Sequence, residues 1–278
     1  MDTEERILEG LLDDLNQNRL ILPTLPEVAL KVRDAVESDN ASSSEITRII
    51  SMDAALSARL LQLCNSPLYR TRQTIENLQS AVTRLGHIQV RNMVSNLVMQ
   101  QMFQATTAAL NKQMRSAWEH STRVAAICFV IAETVNIPKD QALLAGLIHD
   151  IGTLPIIVYA EGSPELRTDP ALIVNVIQKL HTQIGEKILQ DWQFPQSLID
   201  VASLHENLDY DPEGKADYVD IVIVANLYSY IDTPARFNQT DWEQIPAFRR
   251  LGIDPNINLF EDEDNQTKLQ EVRSMLSY

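Results

Sequence analysis

Residues 143–157 read LLAGLIHDIGTLPII, an aliphatic run with His149 and Asp150 side by side at its middle. Two ionisable groups in an apolar helix are costly to bury unless they are paired or bind a metal. The spacing predicts a buried helix that starts at Asp140 and ends at Gly152. Neighbouring helical residues diverge by about 100°, so both side chains reach one ion only if it lies between their directions. Near a helix C-terminus the dipole favours a cation. The stretch therefore raises both the fold and the chemistry, and the rest of the chain has to supply the partners.

Composition sets the frame. The chain has 278 residues, 45% hydrophobic, 6% aromatic and 22% charged, with only eight glycines. Scarce glycine argues against the many turns of an all-β protein and for an all-α one with a mostly aliphatic core. The net charge of −15 repels phosphate backbones, which excludes nucleic acid as a partner unless a basic patch exists. Arg70 and Arg72 in YRTRQ are the nearest candidates and read as a solvated loop. Cys64 and Cys128 each sit in an apolar helical pattern, as buried free thiols of a reducing compartment do. MDTEERILEGLLDDL is acidic and amphipathic, unlike a signal peptide. No apolar run reaches the ~18 residues of a membrane span. A cytoplasmic protein that makes no membrane contact is expected.

Helical periodicity runs through the chain. Thr24 and Glu27 have capping-box spacing before Val28, Val32 and Val36, with Pro26 in the first turn. Ser42 and Glu45 repeat the signal. Asp53 caps a helix with Leu56, Leu60, Leu61 and Cys64 on one face, and Pro67 stops it. IENLQSAVTRL ends at Gly86, and IQVRNMVSNLVMQQMF follows as a buried helix; His87 at its start reads as structural. The polar stretch QATTAALNKQ separates a second helical set, beginning with a helix from about Arg115 to Val135. YVDIVIVANLYSYI is β-branched enough for a strand, yet its length and neighbours favour a buried helix. EDEDNQ is a solvated acidic run before a short terminal helix.

Four of the five histidines interrupt apolar faces. His120 shares a face with Val124, Ile127 and Ile131; His181 with Ile184 and Ile188; His205 with Leu198, Val201 and Ala202. Asn226 stands among Val219, Val222, Ile223 and Tyr230. One such histidine is ordinarily a core residue bonded to a carbonyl. Several, on different helices, would each cost on the order of a kcal/mol if unpaired. Gathering them around a shared ion removes that cost. Neutral imidazole and carboxylate suit a divalent transition metal: Fe, Mn, Zn or Ni.

This pattern resembles the HD superfamily of metal-dependent phosphohydrolases, whose signature is His, His-Asp and Asp on separate helices. His120, His149 and Asp150 match its first three ligands, and His181 and His205 match the added histidines of its two-metal branch. LPTLPEVALKV, IISMDAALSARLLQLCNSPLY and AVTRLG resemble the HDOD family, the HD-related output domains of bacterial signalling. The resemblance covers roughly residues 15–240, with Ala54 where that family often has proline. It implies a two-lobed all-α fold: an N-terminal helical lobe over 15–108, an HD-like lobe with a degenerate metal site over 109–240, and a C-terminal helical tail over 241–278.

The departures shape the functional expectation. The final carboxylate of the HD set is Asn226, a neutral donor. Thr153 stands where the HD-GYP branch has lysine, and Glu206 where that branch has the second of its paired histidines. The Gly-Tyr-Pro motif is absent. The resemblance thus implies a stand-alone signalling output module, non-catalytic, with one or two metal ions held by His120, His149, Asp150, His181, His205 and Asn226. Signalling proteins would bind its N-terminal lobe. The alternative is a metal-dependent phosphohydrolase acting on a phosphorylated small molecule, with Asp150 the candidate catalytic residue.

Overall fold

The computed structural model describes residues 3–17, 19–20, 22–23, 26–38, 42–69, 75–102, 108–231, 241–257 and 259–276, and every regular element among them is helical. In chain order the α-helices are α1 (Thr3–Asn16), α2 (Glu27–Glu37), α3 (Ser43–Ser51), α4 (Ala54–Cys64), α5 (Leu78–Leu85), α6 (His87–Met102), α7 (Ala108–Thr134), α8 (Lys139–Ile148), α9 (Thr153–Gly162), α10 (Pro164–Thr168), α11 (Pro170–Asp191), α12 (Gln196–Leu204), α13 (Tyr218–Ser229), α14 (Pro246–Leu251) and α15 (Glu263–Leu276).

Local chemistry starts many of them. Ser42 Oγ accepts from the Glu45 amide at 3.2 Å and Asp53 Oδ1 from the Leu56 amide at 2.9 Å. Both satisfy amides that a helix N-terminus leaves unpaired. Asp217 and Asp220 form a reciprocal capping box at the head of α13. That box fixes the β-branched segment as a helix, and all but its first residue are buried. Gly86, with φ +83°, ends α5. Thr24, Arg70 and Arg72 lie outside the described residues; α2 begins at Glu27 behind Pro26.

Two helical lobes pack together. In the first, α2 and α5 lie on α6, and α3 lies on α2, α4 and α5. In the second, α8 and α13 lie on α7, while α11 packs on α9 and α12. The α6–α8 contact joins the lobes. Gly146 brings α8 close to α7: a Cβ there would lie 2.5 Å from Ala125 Cα. The Tyr69 hydroxyl, just past α4, donates to buried Asp140 at the start of α8. The termini cross over. The α1 helix lies on α11, held by Lys179–Glu4 at 2.6 Å, and α15 lies on α7, held by Lys268–Glu133 at 2.6 Å.

Two helix limits differ from the sequence reading. First, α7 starts at Ala108 rather than near Arg115, because the polar residues ahead of its apolar stripe are helical too. Second, α8 stops at Ile148 and not at Gly152. Residues 149–152 form a tight turn, with Ile151 N–H bonded to Ile148 O at 3.0 Å and Thr153 N–H to Asp150 O at 2.9 Å. By length and composition Lys139–Gly162 could cross a bilayer, yet this turn breaks it and most of it is buried. The apolar run is the core of the second lobe, and His149–Asp150 sits at its corner.

Candidate metal centre

Four elements of the second lobe deliver the polar groups. His120 projects from α7, and His149 and Asp150 come from the turn after α8. His181 lies mid-way along α11, and His205 is the C-cap of α12. His149, His181 and His205 are buried, while His120 and Asp150 keep side-chain exposures of 18% and 24%.

The backbone sets the tautomers. His149 Nδ1 donates to Gly146 O at 2.8 Å, His181 Nδ1 to Ile177 O at 2.7 Å and His205 Nδ1 to Val201 O at 3.0 Å. A carbonyl only accepts, so each Nδ1 holds the proton and each Nε2 of the neutral ring holds a lone pair. Those nitrogens converge on Asp150. Its Oδ1 lies 3.2 Å from His205 Nε2 and 3.4 Å from His181 Nε2. Its Oδ2 lies 3.5 Å from His149 Nε2 and 3.6 Å from His120 Nε2. Within each pair Nε2 faces Nε2, at 3.2 Å for His181–His205 and 3.3 Å for His149–His120.

Two facing lone pairs would repel, so each pair needs either a proton or a cation between its nitrogens. Burial pushes His149 down to about 3, against the pull of Asp150, so that ring stays neutral. Burial also lowers His120. Burial would lower His205 too, but its bond to Asp150 and the charges of Asp150 and Glu206 outweigh it and raise that ring. Burial would raise Asp150, yet the surrounding imidazoles hold it well below the usual carboxylate range. Without an ion the cluster is an anionic Asp150 paired with a protonated His205; a bound cation would replace that proton and take the Nε2 lone pairs as donors.

This donor set fits a metal. Nitrogen and oxygen ligands about 2.0–2.2 Å from an ion stand roughly 2.8–3.6 Å apart in a tetrahedral or octahedral shell. The separations here span 3.2–3.6 Å. Two sets share Asp150: His120, His149 and Asp150, and Asp150, His181 and His205. The carboxylate thus faces both at once.

Of the residues singled out in the sequence, these five converge. Asn226 lies buried on α13, and its Oδ1 finds no hydrogen-bond partner among the described residues. One turn on, Tyr230 stacks on His120 with ring centroids 5.3 Å apart, which puts this face of α13 on the His120 side. Thr153 is 7% exposed with its hydroxyl likewise unpaired among the described residues. His87 bonds Ser43 Oγ at 2.9 Å, at the junction of α3 and α6.

Three neighbours were not read as site residues. Glu206 Oε1 lies 3.9 Å from His181 Nε2. It was legible only as a departure from a histidine, because helical periodicity does not follow a chain past its C-cap. Tyr230 looked like another member of an apolar stripe. Arg123, one turn from His120, donates to Ser229 O at 3.3 Å and brings a positive charge to the His120 side.

Comparison with known proteins agrees with the fold. The HDOD domain model matches residues 22–208. An uncharacterized protein of Treponema pallidum (strain Nichols) is 26% identical over 243 residues, which are 81% of this chain; the chain spans only 44% of that relative's length. A protein of Shewanella amazonensis SB2B, provisionally described as a metal-dependent phosphohydrolase, has a crystal structure similar at TM-score 0.88 and 28% identity, with both chains covered in full. An HDOD domain protein of unknown function from Geobacter sulfurreducens shares the fold, at TM-score 0.68 and 21% identity over 99% of this chain and 97% of its own.

Proposed function

The chain belongs to the HDOD domain family, and on that premise we propose that it is a signalling output module that holds a divalent transition metal without turning over a substrate. The convergence of four Nε2 atoms on Asp150 supports metal retention. One observation carries the non-catalytic part. Asn226 and Thr153 stand where the hydrolytic relatives of the family place a carboxylate and a lysine, and Thr153 is buried, out of reach of a substrate. The ligand set is His120, His149, Asp150, His181 and His205, with the amide oxygen of Asn226 completing the His120 side. Fe, Mn, Zn and Ni all suit these donors.

Its partners are signalling proteins that meet the first lobe, where Met52 and Ile88 stand exposed. The buried thiols of Cys64 and Cys128 fit the reducing cytoplasm.

A second reading, metal-dependent phosphohydrolysis, draws on the Shewanella amazonensis relative and on the two-sided placement of Asp150. When bound, a divalent ion supplies Lewis-acid polarisation of a phosphoryl oxygen. Arg123 would then be the cation that binds and orients the phosphoryl group.

Elemental analysis of the purified chain, with assays on nucleotides, cyclic dinucleotides and a generic phosphate ester, separates the two. Bound metal without turnover is expected. Turnover that vanishes in His149→Ala would overturn the non-catalytic reading. A chain that stays metal-free after soaking with Fe, Mn and Zn would overturn the metal-holding one.

A further inference from the structure

Away from the metal centre, a narrow cleft lies where the two lobes meet. Arg33 on α2 and Arg91, Asn92 and Ser95 on α6 line it from the first lobe; Phe194, just ahead of α12, and Leu198 on α12 line it from the second. The polar wall is under-satisfied. The Arg91 side chain keeps only 20% exposure, yet its one ionic partner among the described residues, Glu37, stands 3.7 Å away, too far for a hydrogen bond, and is itself half exposed. Asn92 and Ser95 are 6% and 9% exposed, and neither side chain has a hydrogen-bond partner among the described residues. Arg33 donates from Nη1 to Trp192 O across the lobe boundary and from Nε and Nη2 to Asp34, and it brings a second positive charge to the cleft.

Buried donors left unpaired are costly, and a guanidinium, an amide and a hydroxyl on one wall call for an anionic acceptor. Size selects among anions. The space open to water-sized groups is about 20 Å³, and one water needs ~10–15 Å³. A flat carboxylate fits that floor, and a tetrahedral phosphate does not. Carboxylates also match the planar, bidentate geometry of arginine. We infer that the cleft binds a short monocarboxylic acid, with its carboxylate on Arg91, Asn92 and Ser95 and its alkyl chain along Phe194 and Leu198. The incoming carboxylate takes the place beside Arg91 that Glu37 holds only loosely. Because each lobe supplies one wall, the bound acid joins the lobes. It does so at the head of α12, the helix that ends at His205. A small organic acid is thus an input to the module, taken up at a site separate from the metal. The inference stands whether or not the metal-holding reading does.

The test is titration of the ¹⁵N-labelled full chain with acetate, propionate and inorganic phosphate at constant ionic strength, followed by two-dimensional NMR, with chloride as the blank. Acetate and propionate are expected to shift the Asn92 side-chain amide in a saturable way, propionate binding up to about 4-fold more tightly for its extra methylene. Phosphate is expected to behave like chloride. Arg91→Met is expected to weaken binding at least about 10-fold, as loss of a charged hydrogen bond does, and Ser95→Ala a few-fold. Glu37→Gln removes the competing carboxylate from an exposed position, which spares the fold, and is expected to tighten binding up to about 5-fold. If acetate and propionate act no differently from chloride, or if phosphate binds as well as they do, the inference is wrong. Binding that is unchanged in both Arg91→Met and Glu37→Gln also overturns it. A capped leucine–glutamate–leucine tripeptide that binds at the same amide more tightly than propionate would give the cleft to an acidic side chain of a partner protein instead.

Discussion

Gly152 shows how one missing Cβ places Asp150. A Cβ at this position would lie 1.9 Å from His181 O and 2.5 Å from Gly185 N, so the turn rests backbone to backbone on α11. The contact falls at His181 itself, and it therefore fixes the spacing between His181 and Asp150. In the sequence Gly152 reads as the residue that ends a helix. Its φ is −67°, a value open to any residue. The glycine is there for close approach and not for backbone freedom, a distinction that pattern alone does not carry. Gly152→Ala is therefore a steric test without a torsional cost. It should destabilise the fold by at least the ~1–3 kcal/mol of ordinary overpacking, and it should lower the metal content by moving Asp150 away from His181. Urea unfolding and elemental analysis measure the two effects. An alanine variant with wild-type stability and full metal would mean that the turn does not need this contact.

Helices that alternate apolar and polar faces were legible, because an amphipathic stripe declares its period; α3 and α4 carry such stripes behind the caps Ser42 and Asp53, and α5 carries one ahead of Gly86 behind an Asn77 cap that only the structure shows. Elements buried on all sides were harder. The end of α8 was lost because the apolar run passes straight through the turn, and α13 was separable from a strand only by length and context. Its stability depends on a partner the periodicity did not show. Asp220, wholly buried in its first turn, pairs with Arg250 Nε at 2.9 Å, and Arg250 also donates to Pro212 O at 2.5 Å and Lys215 O at 2.8 Å. One guanidinium thus holds the helix head and the loop before it. Arg250→Met strands a buried carboxylate and should cost about 3–5 kcal/mol. The deficit should depend on pH. Burial already raises the Asp220 carboxyl even with Arg250 bonded to it. A carboxyl whose folded value lies above its unfolded value is more protonated folded than unfolded in the window between them, so stability falls as pH rises through that window. Loss of Arg250 widens the window upward. Urea unfolding should therefore show a larger deficit at pH 7.5 than at pH 4.5. Equal deficits would mean that Asp220 is not a buried charge in the variant.

At the scale of the molecule, composition and period were enough for an all-α chain, but a stripe does not name the surface it covers. Nothing in the sequence of α1 says that it crosses to the second lobe, where Arg6–Glu165 at 2.8 Å and Lys179–Glu4 at 2.6 Å hold it. Likewise, the histidines were legible as a set because each broke an apolar face, while the division of Asp150 between two pairs needed the fold. Metal held by that set joins several elements of the second lobe, so its removal should be felt globally. An ion at 100 to 1,000 times its Kd stabilises by about 2.7–4.1 kcal/mol. At roughly 2–4 °C per kcal/mol for a chain of this size, a chelator should lower Tm by about 5–15 °C, and an unchanged Tm would argue against a folded-state ion. A different test asks whether the first lobe speaks to the site. Tyr69 donates to Asp140 at the head of α8, and the other end of α8 leads into His149 and Asp150. Tyr69→Phe leaves the buried Asp140 carboxylate without that donor, which should cost about 1–3 kcal/mol. Because α8 is packed along its length on α7, with Gly146 against the Ala125 backbone, it should behave as a fixed rod. Cobalt affinity in Tyr69→Phe should then equal that of the wild-type chain while urea stability falls. A parallel loss of affinity under conditions where the variant remains folded would instead make α8 a mobile link, through which a partner docked on the first lobe could reach the metal centre.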